Sequence, residues 1–73
     1  MTIPQMTPVQ SSNVASVGYE IPTQTLYVEF LNGNIYIYKG VPQIEFESLK
    51  TAPSVGSYLN RNIKNVYAYE RIQ

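Results

Sequence analysis

The dipeptide Asn32-Gly33 constrains this chain more than any other feature. It sits inside Thr25 to Lys39, TLYVEFLNGNIYIYK, a run rich in β-branched, aromatic and aliphatic residues on both sides of the turn. A two-residue type I′ turn needs φ > 0 at both central positions, and Asn and Gly adopt that at least cost. Counting outward from such a loop pairs Phe30 with Ile35, Val28 with Ile37 and Leu26 with Lys39. It also sets Leu31 opposite Asn34, Glu29 opposite Tyr36 and Tyr27 opposite Tyr38. Side chains alternate across a strand. One face is therefore expected to be aliphatic (Leu26, Val28, Phe30, Ile35, Ile37), and the other to carry Tyr27, Tyr36, Tyr38 and Glu29.

The flanking segments add one strand before the hairpin and two helices after it. Asn13 to Tyr19 alternates, with Ala15, Val17 and Tyr19 on one face and Val14, Ser16 and Gly18 on the other. The small Ser16 and Gly18 leave a gap that could form a groove beside the tyrosines. Pro22 breaks the next segment, since it cannot donate to a ladder. After Gly40, Pro42 stands at the expected first helical position of a helix reaching Lys50, where its missing N–H costs nothing. Phe46 and Leu49, three apart, would dock on the aliphatic face, with Val41 beside them. Pro53 separates a second helix, for which Ser54 is a natural N-cap. Val55, Leu59 and Ile63 make a stripe at i, i+4, i+8. Gly56 in the first turn costs about 1 kcal/mol against Ala and implies a cap distortion or a close approach to the backbone. The tail from Val66 to Gln73 alternates again and reads as a short final strand or extended segment. The fold class is α+β: a three-stranded antiparallel meander, two short helices packed on one face, and that tail. Residues 1–10 form a flexible or extended arm before a single domain over 11–73.

Composition narrows the chemistry. Seventy-three residues hold no Cys, no His and no Asp. Thiolate and soft-metal chemistry is excluded, and no metal or cofactor is expected. Acid–base work would fall to glutamates and tyrosines, and Glu45 and Glu47 point to different sides of a helix, so a binding role is expected rather than an enzyme. A core this small rarely supplies more than ~3–5 kcal/mol, which makes a homo-oligomer the expected state. The five acids and five bases cancel, but residues 1–49 carry net −3 (one base, four acids) and residues 50–73 net +3 (four bases, one acid). A neutral chain is a poor generic nucleic-acid binder, though the basic half could hold one or two phosphates. No apolar stretch approaches a membrane span and the N-terminus lacks a leader pattern, so a soluble cytoplasmic protein is expected.

Several pieces occur in an order that resembles the KTSC domain family: SSNVASVGY, then TLYVEFLNGNIYIYKGVP, then APSVGSYLNRNIKNVYAYERI. The ordered set of Ser-Ser-Asn, Asn-Gly, Tyr-x-Tyr, Val-Pro, Ser-x-Gly-x-Tyr and Asn-x-x-Ile-Lys carries the resemblance over about residues 11–72. It implies a small α/β module, found alone in bacterial and phage-type proteins or at the C-terminus of some lysyl-tRNA synthetases. It implies no established activity, with RNA binding as the suspected role. Where members of the family tend to carry bases, this chain has Val55 and Ser57.

The candidate ligand-binding residues are Tyr36, Tyr38, Ser54, Gly56, Tyr58, Asn60, Arg61 and Lys64. Aromatic rings on an open sheet face can stack bases, although tyrosines also serve simply as strand formers packed beneath helices. The Ser54–Gly56 helix start offers free N–H groups to an anion, and Arg61 and Lys64, three apart, could share a phosphate. The expected ligand is a small nucleotide, cyclic signalling nucleotides included, which a free-standing phage-type copy would sequester as an anti-defence protein. RNA is the alternative that the family suggests. A protein-interaction or self-association module without a nucleotide is the third.

Overall fold

The computed structural model describes residues 3–73. Five strands form one antiparallel sheet in chain order: β1 (Thr7–Pro8), β2 (Val14–Glu20), β3 (Thr25–Phe30), β4 (Ile35–Tyr38) and β5 (Tyr69–Arg71). Helices α1 (Gln43–Lys50) and α2 (Val55–Asn62) lie between β4 and β5 in sequence. The expected three-stranded meander is thus the centre of a wider sheet. The arm and the tail supply the two outer strands, each short, and so pair edges that a bare meander would leave open. Residues 1 and 2 of the expected arm lie outside the described residues.

The hairpin register is one residue away from the two-residue loop. Leu26 pairs with Tyr38, Tyr27 with Ile37, Val28 with Tyr36 and Glu29 with Ile35. The Phe30 N–H donates to the Asn34 carbonyl and the Gly33 N–H to the Phe30 carbonyl, both at 2.9 Å. Leu31, Asn32 and Gly33 are therefore the loop, and of the three only Gly33 has positive φ, at 90°. This is the three-residue alternative, closed by a left-handed glycine. A slip of one residue turns a whole strand over. Tyr36 and Tyr38 accordingly join Leu26, Val28 and Phe30, while Ile35 and Ile37 join Tyr27. The face expected to carry Tyr27, Tyr36 and Tyr38 together does not form.

An irregularity between Val14 and Ser16 similarly shifts β2. It brings Val14 into the same core as Val17 and Tyr19, away from Ser16 and Gly18.

Both helices cover the Leu26–Val28–Tyr38 face. Pro42 is the N-cap of α1 rather than its first residue. Phe46, Leu49 and Val41 are buried on the sheet as expected. The Tyr19 ring stacks on Phe46 at 5.1 Å, and its hydroxyl donates to the Val41 carbonyl at 2.5 Å. Ser54 caps α2, its Oγ accepting from the Ser57 N–H at 3.3 Å. The stripe of Val55, Leu59 and Ile63 is buried along its length.

The opposite face is small, with Tyr27, Ile35 and Ile37 covered by Met6 and Ile72. The gap at Gly18, expected as a groove, is occupied by the arm. A Cβ on Gly18 would lie 2.6 Å from Met6 Sδ and 3.0 Å from the Gln5 carbonyl oxygen. Among the described residues no helix is long and apolar enough to cross a membrane.

Candidate functional site

The register that buries Tyr38 also builds the main cleft. A groove of about 600 Å³ opens where the hairpin loop, β4, β5 and the segment after α2 meet. Tyr36, Tyr38 and Tyr69 line it together with Phe30. The Tyr69 ring lies 5.9 Å from both the Tyr36 and the Tyr38 ring, and the Phe30 ring meets Tyr36 edge-on at 5.5 Å. Tyr69 is 59% exposed, because β5 is an edge strand and the ring lies at the mouth of the groove. Tyr38 is only 1% exposed. Its phenol is raised above the usual value, first by burial and then by the neighbouring Tyr36 and Tyr69, so it stays protonated at neutral pH.

The rim is polar. Asn13, Asn32, Asn34 and Lys64 stand around the tyrosines, and no carboxylate lines the groove. The Leu31 N–H donates to the Asn13 carbonyl at 2.9 Å, which pins the hairpin loop to the start of β2. The Asn32 side-chain oxygen accepts from the Asn34 N–H at 3.0 Å. Lys64 lies beyond the end of α2, where its N–H donates to the Leu59 carbonyl at 2.8 Å. Its side chain is exposed and has no ion-pair partner among the described residues.

The other expected site residues lie elsewhere. Ser54, Tyr58 and Arg61 line a second, smaller groove of about 320 Å³ with Ser57 and Pro53. Arg61 is inside α2 and Lys64 is past its end, so the two bases line different grooves rather than one phosphate site. Tyr58 is engaged within the fold, where its hydroxyl donates to Glu45 on α1. Gly56 is covered, since a Cβ there would lie 2.7 Å from Asn13 Oδ1. The close approach expected at Gly56 is real, and it comes from the chain itself. Asn60 is exposed and lines neither groove.

Reasoning from sequence missed Tyr69, Asn13, Asn32 and Asn34 as groove residues. Asn32 and Asn34 read as turn residues, and Asn13 as the start of a strand. Tyr69 had a signal in the alternating tail, but only its pairing with Tyr38 brings it to the groove.

The KTSC domain model matches residues 10–67. A lysine–tRNA ligase of Nostoc sp. is 41% identical over 63 residues, which cover 86% of this chain and 11% of the ligase. The chain therefore spans about a tenth of the length of that ligase. A protein of Stutzerimonas stutzeri is 40% identical over 65 residues, covering 88% of this chain and 92% of that protein. The crystal structure of a KTSC domain protein from Yersinia pestis superposes with a TM-score of 0.88 at 31% identity, covering 94% of this chain and 97% of the other.

Proposed function

The chain belongs to the KTSC domain family, and from that premise we propose that it is a non-enzymatic binding module whose tyrosine-lined groove takes a nucleotide-type ligand. The observation that carries this reading is the Tyr69 ring, exposed at the mouth of a groove that also holds Tyr36, Tyr38 and Lys64. A base stacked on such a ring gains about 1–3 kcal/mol. Lys64 supplies a single positive charge beside it, which suits the phosphate of a small nucleotide, cyclic signalling nucleotides included. The zero net charge points the same way, because a polymer is held by many neutralised phosphates. A second subunit seated over the open groove would enclose the ligand, and a free-standing copy of this kind would act by sequestering it.

RNA binding is the second reading, favoured by the similarity to lysine–tRNA ligases. In that reading both grooves are used. Lys64 takes one phosphate and the Ser54–Tyr58–Arg61 groove another, with Asn60 on the exposed side of α2.

Calorimetric titration separates the two. For a small nucleotide, Lys64→Ala and Tyr69→Ala each weaken binding at least about tenfold, equivalent to about 1.4 kcal/mol, while Arg61→Ala leaves it unchanged. For RNA, Arg61→Ala also weakens binding, and affinity falls steeply between about 50 and 200 mM salt. A native protein that binds neither nucleotides nor RNA would overturn both readings and leave a protein partner. Native mass spectrometry of the purified protein adds subunit number and the mass of any retained ligand.

A further inference from the structure

Three of the bases have no acid to meet. Lys39 pairs with Glu70 at 3.5 Å and Lys50 with Glu47 at 3.2 Å. The other three acids accept from hydroxyls of the fold: Glu20 from Thr23, Glu29 from Ser16 and Glu45 from Tyr58. Arg61, Lys64 and Arg71 are exposed and have no ion-pair partner among the described residues. Arg61 lines the second groove and Lys64 the first. Arg71 belongs with Lys64 because of its register on β5.

Tyr36 lies opposite Arg71, Ile37 opposite Glu70 and Tyr38 opposite Tyr69. Side chains alternate along a strand, so Arg71 shares the groove-bearing face with Tyr69, and Glu70 takes the other face. Backbone hydrogen bonds join β4 to β5 at Lys39–Ala68 and Ile35–Ile72. Such bonded pairs alternate with unbonded ones, so Tyr36–Arg71 is an unbonded pair, in which the side chains stand closer. Arg71 is thereby held beside the Tyr36–Tyr69 ring pair, at the β5 rim of the groove rather than in its lining. Lys64 comes to the same groove from the segment after α2. Two unpaired cations on separate elements thus serve one aromatic groove that no carboxylate lines.

The floor of this groove also awaits a partner. Tyr38 is almost wholly buried, and its hydroxyl has no hydrogen-bond partner among the described residues. No buried side-chain oxygen or nitrogen of those residues is left both unsatisfied and sealed from solvent, so the Tyr38 hydroxyl opens onto the groove. A buried tyrosine ordinarily finds a partner, and a ligand seated here would supply one.

Resting on the nucleotide reading above, we infer that Arg71 is a second phosphate-binding residue of this groove, and that the preferred ligand is a nucleotide with two phosphate groups rather than one. A guanidinium holds phosphate through paired, charge-assisted N–H donors. Lys64 answers the first phosphate. The negative charge of a second is met by Arg71, the other unpaired cation on this face.

The test is calorimetry at low salt with ADP, GDP and UDP against AMP, GMP and UMP. Each diphosphate that the native protein binds is held at least about fivefold more tightly than its monophosphate. Arg71→Gln keeps the polar side chain and loses no partner within the fold, so the melting temperature is retained. It brings the diphosphate down to the affinity of the monophosphate. Arg71→Lys keeps the charge and most of the preference, whereas Lys64→Ala weakens both kinds of nucleotide. Equal native affinities for diphosphate and monophosphate, or a ratio unchanged in Arg71→Gln, overturn this inference and leave the nucleotide reading standing. A native protein that binds none of the six overturns the inference, and failure with cyclic nucleotides and RNA as well removes the reading beneath it.

Discussion

The Tyr58 hydroxyl donates a hydrogen bond to Oε1 of Glu45 and so ties α2 to α1. Tyr67, in the segment after α2, donates to the other oxygen of the same carboxylate at 3.4 Å. One glutamate thereby gathers two helices and the start of the tail. Hydrogen bonds to a charged acceptor are worth more than neutral ones. Tyr58→Phe is expected to lower stability by about 1–2 kcal/mol in urea unfolding while leaving ligand affinity at the Tyr38 groove unchanged. An unaltered unfolding midpoint would show that the clamp contributes nothing.

Alkaline pH should unfold the protein through its tyrosines. Five phenols are raised above the usual 10.0: Tyr58 chiefly by its bond to Glu45, and Tyr19, Tyr27, Tyr38 and Tyr67 chiefly by burial. The folded chain thus keeps protons that the unfolded chain has released. Stability from these groups is fully present below pH 10 and is lost as pH rises through the folded values. Urea midpoints measured across this range should hold steady and then fall above about pH 10. A midpoint that rises there would contradict the sign.

Gly18 marks where the arm crosses the sheet. The Met6 sulfur, at 2.6 Å from an added Cβ, is the end of a flexible side chain and can move. The Gln5 carbonyl oxygen at 3.0 Å is backbone and cannot move without shifting the arm. Gly18→Val should cost about 1–3 kcal/mol and make the arm a faster target for limited proteolysis. Unchanged cleavage would show that the arm is not held there.

Gly56→Ala tests the contact between α2 and the start of β2. On helix propensity alone the substitution stabilises by about 1 kcal/mol. With Asn13 Oδ1 only 2.7 Å from the new methyl, it should destabilise instead. The double variant Gly56→Ala with Asn13→Ala should recover the loss, which a double-mutant cycle of melting curves reads as coupling. Additive effects would remove the contact from the account.

Local signals in this chain are strong and were legible without a structure. Proline and glycine punctuate it, Ser54 caps α2, the Val55–Leu59–Ile63 stripe is buried, and the Asn-Gly hairpin forms the centre of the sheet. Each depends on backbone preferences or on the period of one element, which a sequence states directly. The groove depended on relations between elements. Asn32-Gly33 suits both a two-residue and a three-residue loop, and packing against the helices selects the register that buries Tyr38 beside Leu26 and Val28. That choice moved Tyr36 and Tyr38 to the helix-bearing face and met Tyr69 arriving on β5 from more than thirty residues away in sequence. Arg61 and Lys64 parted because the helix ends between them. The sequence alone determined the three central strands, the two helices and the family, while the arm's place as the edge strand β1 came only with the tertiary structure. The tertiary structure decided which side of the sheet each aromatic ring occupies, because the period of a strand is two and a single residue of slip reverses every side chain on it.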